Sequence, residues 1–81
     1  MGEDHTDTLI AANNLASAYR AGGRVTEAIP LLERTLADAK RVQGDDHPKT
    51  LNFRNNLAGA YRDAGRVTEA ESLETRAENG S

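Results

Sequence analysis

The sequence predicts an all-α protein of two helix–turn–helix hairpins, that is, four antiparallel helices. The chain repeats itself after 42 residues, since residues 1–39 and 43–81 are identical at 20 of 39 aligned positions. A repeat of this length is typical of units that stack and bury their apolar faces against one another. Apolar and small residues also recur at the three- and four-residue spacing of a helix. No segment sustains the two-residue alternation of a β-strand.

We expect the first helix of each repeat over residues 6–21 and 48–64. The stripe that faces its neighbours consists of Thr8, Ala12, Leu15, Ala16 and Tyr19, and in the second copy of Thr50, Arg54, Leu57, Ala58 and Tyr61. Gly23 and Gly65 follow these helices, because glycine readily adopts the left-handed conformation that ends a helix. The second helices are expected over residues 25–43, before Gly44, and from residue 67 to about residue 79.

The residues shared by the two copies resemble the tetratricopeptide repeat. The matching residues are Leu15, Ala16, Tyr19, Gly23, Arg24, Glu27 and Ala28, with Leu57, Ala58, Tyr61, Gly65, Glu69 and Ala70 in the second copy. That family usually repeats after roughly 34 residues, whereas this chain repeats after 42. The longer period, together with the His-Pro-x-Thr-Leu segment at residues 47–51, is similar to the kinesin-light-chain-like subfamily. Residues 29–36 are similar to tetratricopeptide arrays of actinobacteria.

This resemblance implies a short right-handed solenoid that acts as a non-catalytic protein–protein interaction scaffold, as part of a longer array. We expect a first repeat over residues 1–46 and a second, C-terminal capping repeat over residues 47–81. The capping prediction comes from three apolar residues that become glutamates: Ile29, Leu32 and Leu36 are replaced by Glu71, Glu74 and Glu78. Terminal repeats need such a polar outer face, although an ordinary solvated helix face would carry the same residues.

The opposite end of the chain is predicted to be an uncapped edge. The first helix carries a run of apolar residues at positions 9–12, and the four residues before it align with the loop between the repeats. Solenoids usually need about three repeats for stability. The alternative function is therefore a structural unit, natural or designed, that forms a homo-oligomer through this apolar edge.

Composition excludes several classes of function. A net charge of −3 provides no basic surface for nucleic acid, and no apolar run indicates a signal peptide or a membrane span. The absence of cysteine fits a cytoplasmic protein without disulfides. No cofactor or metal is expected, because helix capping accounts for Asp45, Asp46 and His47 better than a metal site does. The serines lack the histidine and acid of a catalytic triad, so we do not expect an enzyme.

Polar residues on the first helices are the candidate binding site. One face carries Ile10, Asn13, Ser17 and Arg20, and its copy carries Asn52, Asn55, Gly59 and Arg62. In the tetratricopeptide fold the first helices line a concave groove, and these positions resemble the groove-facing ones. We predict that an extended peptide of a protein partner binds to Asn13, Ser17, Arg20, Asn52, Asn55, Asn56 and Arg62.

The chemistry of these side chains suits a peptide. Asparagine amides both donate and accept hydrogen bonds, the small Ser17 and Gly59 would let a peptide backbone approach, and arginine binds carboxylates by charge-assisted hydrogen bonds. Two alternatives stay open at this point. The face is simply solvated, or the paired asparagines fix the packing between the repeats.

Overall fold

Four α-helices account for the part of the chain that is described, which is the backbone of residues 5–79 and the side chains of residues 7–74 in a computed structural model. They are α1 (His5–Ala21), α2 (Val25–Gln43), α3 (Pro48–Asp63) and α4 (Val67–Asn79). Over these residues there is no β-strand. The predicted all-α fold of two hairpins is confirmed, and the helix ends agree with the sequence-based ones to within one residue.

The two hairpin turns have the same geometry, as the repeat predicts. Gly23 has a φ of +82° and Gly65 a φ of +80°. In the first turn, the N–H of Arg24 donates to the carbonyl of Tyr19 at 2.7 Å and the N–H of Gly23 to that of Arg20 at 3.0 Å. This bonding pattern is the Schellman motif, which satisfies the last carbonyls of a helix and requires a left-handed residue. The second turn repeats both bonds with the same lengths.

The connection between the two hairpins is closed by Gly44 and His47. Gly44 has a φ of +93°, and its N–H bonds to the carbonyl of Lys40. His47 caps α3, because its Nδ1 accepts a hydrogen bond from the N–H of Lys49 at 3.1 Å. Pro48 follows as the first residue of the helix, where a missing N–H costs nothing. Helix capping therefore accounts for this histidine, as we expected.

Each helix packs against the next one in the chain, and α1 also touches α3 directly. The helices thus form two layers, with α1 and α3 in one and α2 and α4 in the other. The core residues come from all four helices: Leu9, Ala16, Ala28, Ile29, Leu32, Leu36, Ala39, Phe53, Leu57, Ala58, Ala60, Tyr61 and Ala70. Helix α2 is central, because it packs against both α1 and α3.

Equivalent residues of α1 and α3 differ in exposure. Leu15 is 48% exposed, whereas its counterpart Leu57 is 3% exposed. Helix α3 packs against both α2 and α4, whereas α1 packs mainly against α2. The same difference holds for three more pairs, in which the first residue is exposed and the second is buried: Thr8 and Thr50, Ala11 and Phe53, and Ala18 and Ala60. We call Thr8, Ala11, Leu15 and Ala18 the outer edge of α1.

The glutamates of α4 stand where α2 has buried apolar residues. Ile29, Leu32 and Leu36 are all at most 5% exposed. Glu71 is exposed and Glu74 is half-buried, while the side chain of Glu78 lies outside the described residues. The polar outer face of α4 is thus present over its first two turns. Its role as a C-terminal cap, the repeat boundaries at residues 46 and 47, and the right-handed twist of the stack stay predictions.

One buried residue does not fit an apolar core. Arg54 is only 5% exposed, and its Nε is buried without a hydrogen-bond partner among the described residues. Its counterpart in α1 is Ala12. A buried charge without a partner is costly, so this position is a point of weakness in the core.

Candidate peptide-binding groove

The predicted site residues divide into three groups, the first of which links the two repeats. The side-chain amide of Asn56 donates to Oδ1 of Asn13 at 2.7 Å. Arg20 lies beside this pair, and its Nη1 donates to the backbone carbonyl of Asn56 at 3.4 Å. This hydrogen bond agrees with the alternative in which the asparagines take part in the packing between repeats. Asn13, Asn56 and Arg20 form a polar bridge between α1 and α3.

Asp63 completes this bridge, and sequence reasoning missed it. Nε of Arg20 donates to Oδ2 of Asp63 at 3.0 Å, and Nη2 lies 2.9 Å from the same oxygen. The first repeat has Ala21 at the equivalent position, so the repeat comparison gave no reason to single out an acid here. The signal that could have found it is the change from Ala21 to Asp63, which places a carboxylate at the end of α3. The equivalent end of α1 carries Arg20.

The side chain of Arg20 occupies the space beside Gly59. A Cβ atom at position 59 would lie 2.8 Å from Nη2 of Arg20 and 3.1 Å from Nη1. The guanidinium therefore occupies the space that the missing side chain leaves. Our interpretation that Gly59 would let a peptide backbone approach is wrong at this position, because Arg20 already fills it.

Arg62, the counterpart of Arg20, binds within its own hairpin. Its Nη1 donates to Oε2 of Glu74 on α4 at 2.6 Å, and its Nη2 donates to Oε1 of the same carboxylate. This hydrogen bond raises the pKa of Arg62 above, and lowers the pKa of Glu74 below, their usual values. Both side chains remain over 40% exposed, so solvent and salt weaken the pair. A ligand carboxylate could exchange with Glu74.

Ser17, Asn52 and Asn55 form the third group. All three are exposed, and within residues 7–74 none of them forms a side-chain hydrogen bond. Ser17 lies on α1 between Asn13 and Arg20, and the two asparagines lie on α3, one turn apart. Their hydrogen-bonding groups thus face solvent on helices that the polar bridge holds together.

A second polar contact joins α2 to α3 away from these residues. The hydroxyl of Tyr61 donates to Oε2 of Glu33 at 2.6 Å, and the guanidinium of Arg66 stacks on the tyrosine ring at 4.6 Å from its centre. Burial, followed by the hydrogen bond to Glu33, raises the pKa of Tyr61 from 10 to about 12. The tyrosine is 8% exposed.

This contact predicts a loss of stability at alkaline pH. The folded state favours the neutral hydroxyl of Tyr61. The contribution of this hydroxyl to the free energy of unfolding is therefore complete below pH 10 and is lost as the pH rises from 10 to about 12. We expect this loss to reach about 2–3 kcal/mol. Urea unfolding at several pH values measures it, and Tyr61→Phe is the control, because the variant has no hydroxyl to ionise. Parallel pH profiles of the two proteins would contradict the prediction.

Other kinds of site find no support in the described residues. They contain no group of three or more histidine, cysteine, aspartate or glutamate side chains placed to hold a metal ion. None of the described helices is long and apolar enough to cross a membrane.

The two hairpins match a known family of repeats. A family model of the tetratricopeptide repeat matches residues 2–80. The chain belongs to the tetratricopeptide-repeat family. Comparisons with curated proteins and with solved structures gave no match. Tetratricopeptide repeats generally bind protein partners and are typically non-catalytic scaffolds, which supports an interaction module. The kinesin-light-chain-like subfamily and the similarity to actinobacterial arrays stay predictions.

Proposed function

We propose that this tetratricopeptide unit binds an extended peptide of a protein partner along α1 and α3, as a module of a longer cytoplasmic array. One observation carries the proposal: Ser17, Asn52 and Asn55 are exposed on these helices, and their polar groups bind no other described residue. An asparagine amide can pair with both the N–H and the carbonyl of a peptide backbone, whatever the peptide's side chains are.

The two arginines give this surface its charge preference. Arg20 is held by Asp63, whereas Arg62 is held by Glu74 in a more exposed pair. The Arg20 pair also takes part in the α1–α3 bridge, so the energy of breaking it would include loss of repeat packing. Arg62 is therefore the arginine that can turn to an incoming carboxylate. We infer that the peptide carries an acidic side chain or its C-terminal carboxylate near Arg62.

A displayed library of random peptides supplies the probe for this proposal. Peptides selected on the intact chain are expected to be enriched in an acidic residue. Asn55→Ala and Arg62→Ala should each weaken binding by about fivefold or more, since a hydrogen bond contributes about 1 kcal/mol and a charged one more. Isothermal titration calorimetry gives the affinities, and circular dichroism checks that the exposed substitutions leave the fold intact.

Arg34→Ala is the matched control, because Arg34 is also an exposed arginine and lies on α2, in the other layer. Its affinity for the selected peptides should be unchanged. Unaltered affinity in both Asn55→Ala and Arg62→Ala would contradict the groove proposal. An equal loss of affinity in the Arg34 variant would also contradict it.

The second candidate function is self-assembly through the outer edge of α1. The observation that favours it is that Leu15 is exposed beside Ala11 and Ala18 on one face, because contiguous exposed apolar surface can mark a contact surface. Sedimentation velocity over a range of concentrations tests it. A dimer that Leu15→Glu dissociates would support assembly, and a monomer at all concentrations would exclude it.

A further inference from the structure

The two arginines of the proposed groove occupy equivalent positions in the repeat but differ in how they are held. Arg20 crosses from α1 to α3, where its Nε and Nη2 lie 3.0 and 2.9 Å from Oδ2 of Asp63. Its Nη1 also donates to the backbone carbonyl of Asn56. Arg62 stays within its own hairpin and pairs with Glu74 on α4. The side chain of Arg20 is 27% exposed, compared with 45% for Arg62, so α3 limits how much of Arg20 a ligand can reach.

Two residues of α3 hold Arg20 in this position, and both differ from the first repeat. Asp63 provides the carboxylate and corresponds to Ala21. Gly59 provides the space, since a Cβ atom there would lie 2.8 Å from Nη2 of Arg20, and it corresponds to Ser17. With the residues of the first repeat at these two positions, α3 would offer the guanidinium neither a carboxylate nor the room to lie beside the helix.

The contact between α1 and α3 does not depend on the Arg20–Asp63 pair alone. The side-chain amide of Asn56 donates to Oδ1 of Asn13 at 2.7 Å, and this bond involves neither member of the ion pair. The pair itself is partly solvated, since 49% of the Asp63 side chain is exposed, and ion pairs in solvent contribute little to stability. Removal of the Asp63 carboxylate should therefore free Arg20 while the two helices stay joined.

The carboxylate of Asp63 also affects a ligand directly. It is exposed beside Arg20 and balances its charge, so an acidic side chain that approached Arg20 would meet a like charge instead of a free cation. Like charges brought together across an interface exclude a wrong ligand effectively. Arg62 differs, because its one hydrogen-bond partner among the described residues is Glu74. A ligand carboxylate can replace Glu74 without breaking a contact between α1 and α3.

We infer that Asp63 and Gly59 determine the charge specificity of the proposed groove. They hold Arg20 on α3, so that the groove binds a peptide through one carboxylate, at Arg62, and rejects a second acidic residue placed against Arg20. This inference rests on the proposed peptide-binding function and narrows its ligand class. The ligand is an extended peptide that brings a single acidic group to the groove, rather than a run of acidic residues.

A glutamate scan of one peptide tests this specificity. The probe is a peptide selected from the random library on the intact chain, and each of its other positions is replaced in turn by glutamate and, as the uncharged control, by glutamine. Isothermal titration calorimetry with the unaltered protein should show no position at which glutamate binds more tightly than glutamine. With Asp63→Ala, at least one position should favour glutamate by about fivefold or more, because the released Arg20 adds a charge-assisted hydrogen bond.

Gly59→Ser releases Arg20 without removing a charge. The new Cβ atom would lie within 3.1 Å of both terminal nitrogens of the guanidinium, so the end of this flexible side chain must move away. The variant should favour glutamate at the same peptide position by a smaller factor, because Asp63 still opposes the second acid. Both substitutions introduce better helix formers than the residues they replace, and circular dichroism checks that the fold is kept. An unchanged preference in Gly59→Ser would overturn the role of Gly59.

Asp38→Ala is the matched control for the lost charge, because Asp38 pairs with Arg41 on α2, in the other layer. An equal preference for glutamate in this variant would overturn the inference, since net charge alone would then explain it. The preference must also disappear in the double variant Asp63→Ala with Arg20→Ala.

The failure of this inference can be told apart from the failure of the proposed function. If Asp63→Ala gains no preference for glutamate while the parent peptide still binds and still depends on Arg62, the inference is overturned and the proposed function stands. If no library peptide binds to the unaltered protein, both are overturned.

Discussion

Leu32→Ala is expected to lower the free energy of unfolding by about 2–5 kcal/mol, which is the usual cost of such a truncation in a packed core. Leu32 is completely buried and lies on α2, the helix that contacts both α1 and α3. The cavity would therefore loosen both hairpins at once. For an 81-residue chain, the total stability is expected to be about 4–12 kcal/mol. The variant should be partly unfolded at physiological temperature.

Urea unfolding followed by circular dichroism measures this loss. Leu51→Ala is the matched control, because it makes the same chemical change at a leucine that is 38% exposed, and it should cost about 0.5 kcal/mol or less. Equal losses in the two variants would contradict the central position of α2. A smaller loss with an unchanged m-value would mean that the neighbouring side chains close the cavity.

The fold could be predicted from the sequence because its determinants are local and repeated. The glycines at positions 23 and 65 fix the hairpin turns, and the spacing of the apolar residues fixes the helix faces. These features depend on periodicity and on backbone conformation, both of which can be read along a single chain. The exposed edge of α1 was predicted only in part. Within the apolar run at positions 9–12, Leu9 is buried and Ala11 is exposed, and Leu15, which we assigned to the packed stripe, is 48% exposed.

The bridge between α1 and α3 could not be predicted in full, because it depends on residues that the copies do not share. Asp63 has alanine as its counterpart, and Gly59 has serine. Together they provide the carboxylate and the space that Arg20 occupies. Among the described residues, Arg62 has no acid of this kind across from it and pairs with Glu74 instead. Two arginines at equivalent positions thus have different partners, and Arg62 is the more exposed of the two.

Fewer residues are therefore free to bind a ligand than the sequence pattern predicts. Seven residues share the predicted faces, but Asn13, Asn56 and Arg20 already bind within the protein. The polar atoms of the bridge hold the two first helices in a fixed relation. A ligand that binds to Ser17, Asn52 and Asn55 would meet a surface that needs little ordering, which lowers the entropic cost of binding.

Arg54→Met is expected to stabilise the protein by about 1–3 kcal/mol, because replacing a buried charge by an apolar residue of similar length is often favourable. Arg54 is 5% exposed, and its buried Nε has no partner within the described part of the chain. Methionine keeps the unbranched stem and adapts to irregular space. It removes the desolvated guanidinium while keeping an apolar stem in the core.

Thermal and urea unfolding measure the gain, and Arg34→Met serves as the control. Arg34 is exposed on α2, so the same substitution there should change the stability by about 0.5 kcal/mol or less. Arg54→Lys should not reproduce the gain, because it retains the buried charge. If Arg54→Met instead destabilises the protein, the guanidinium has a partner that compensates its burial.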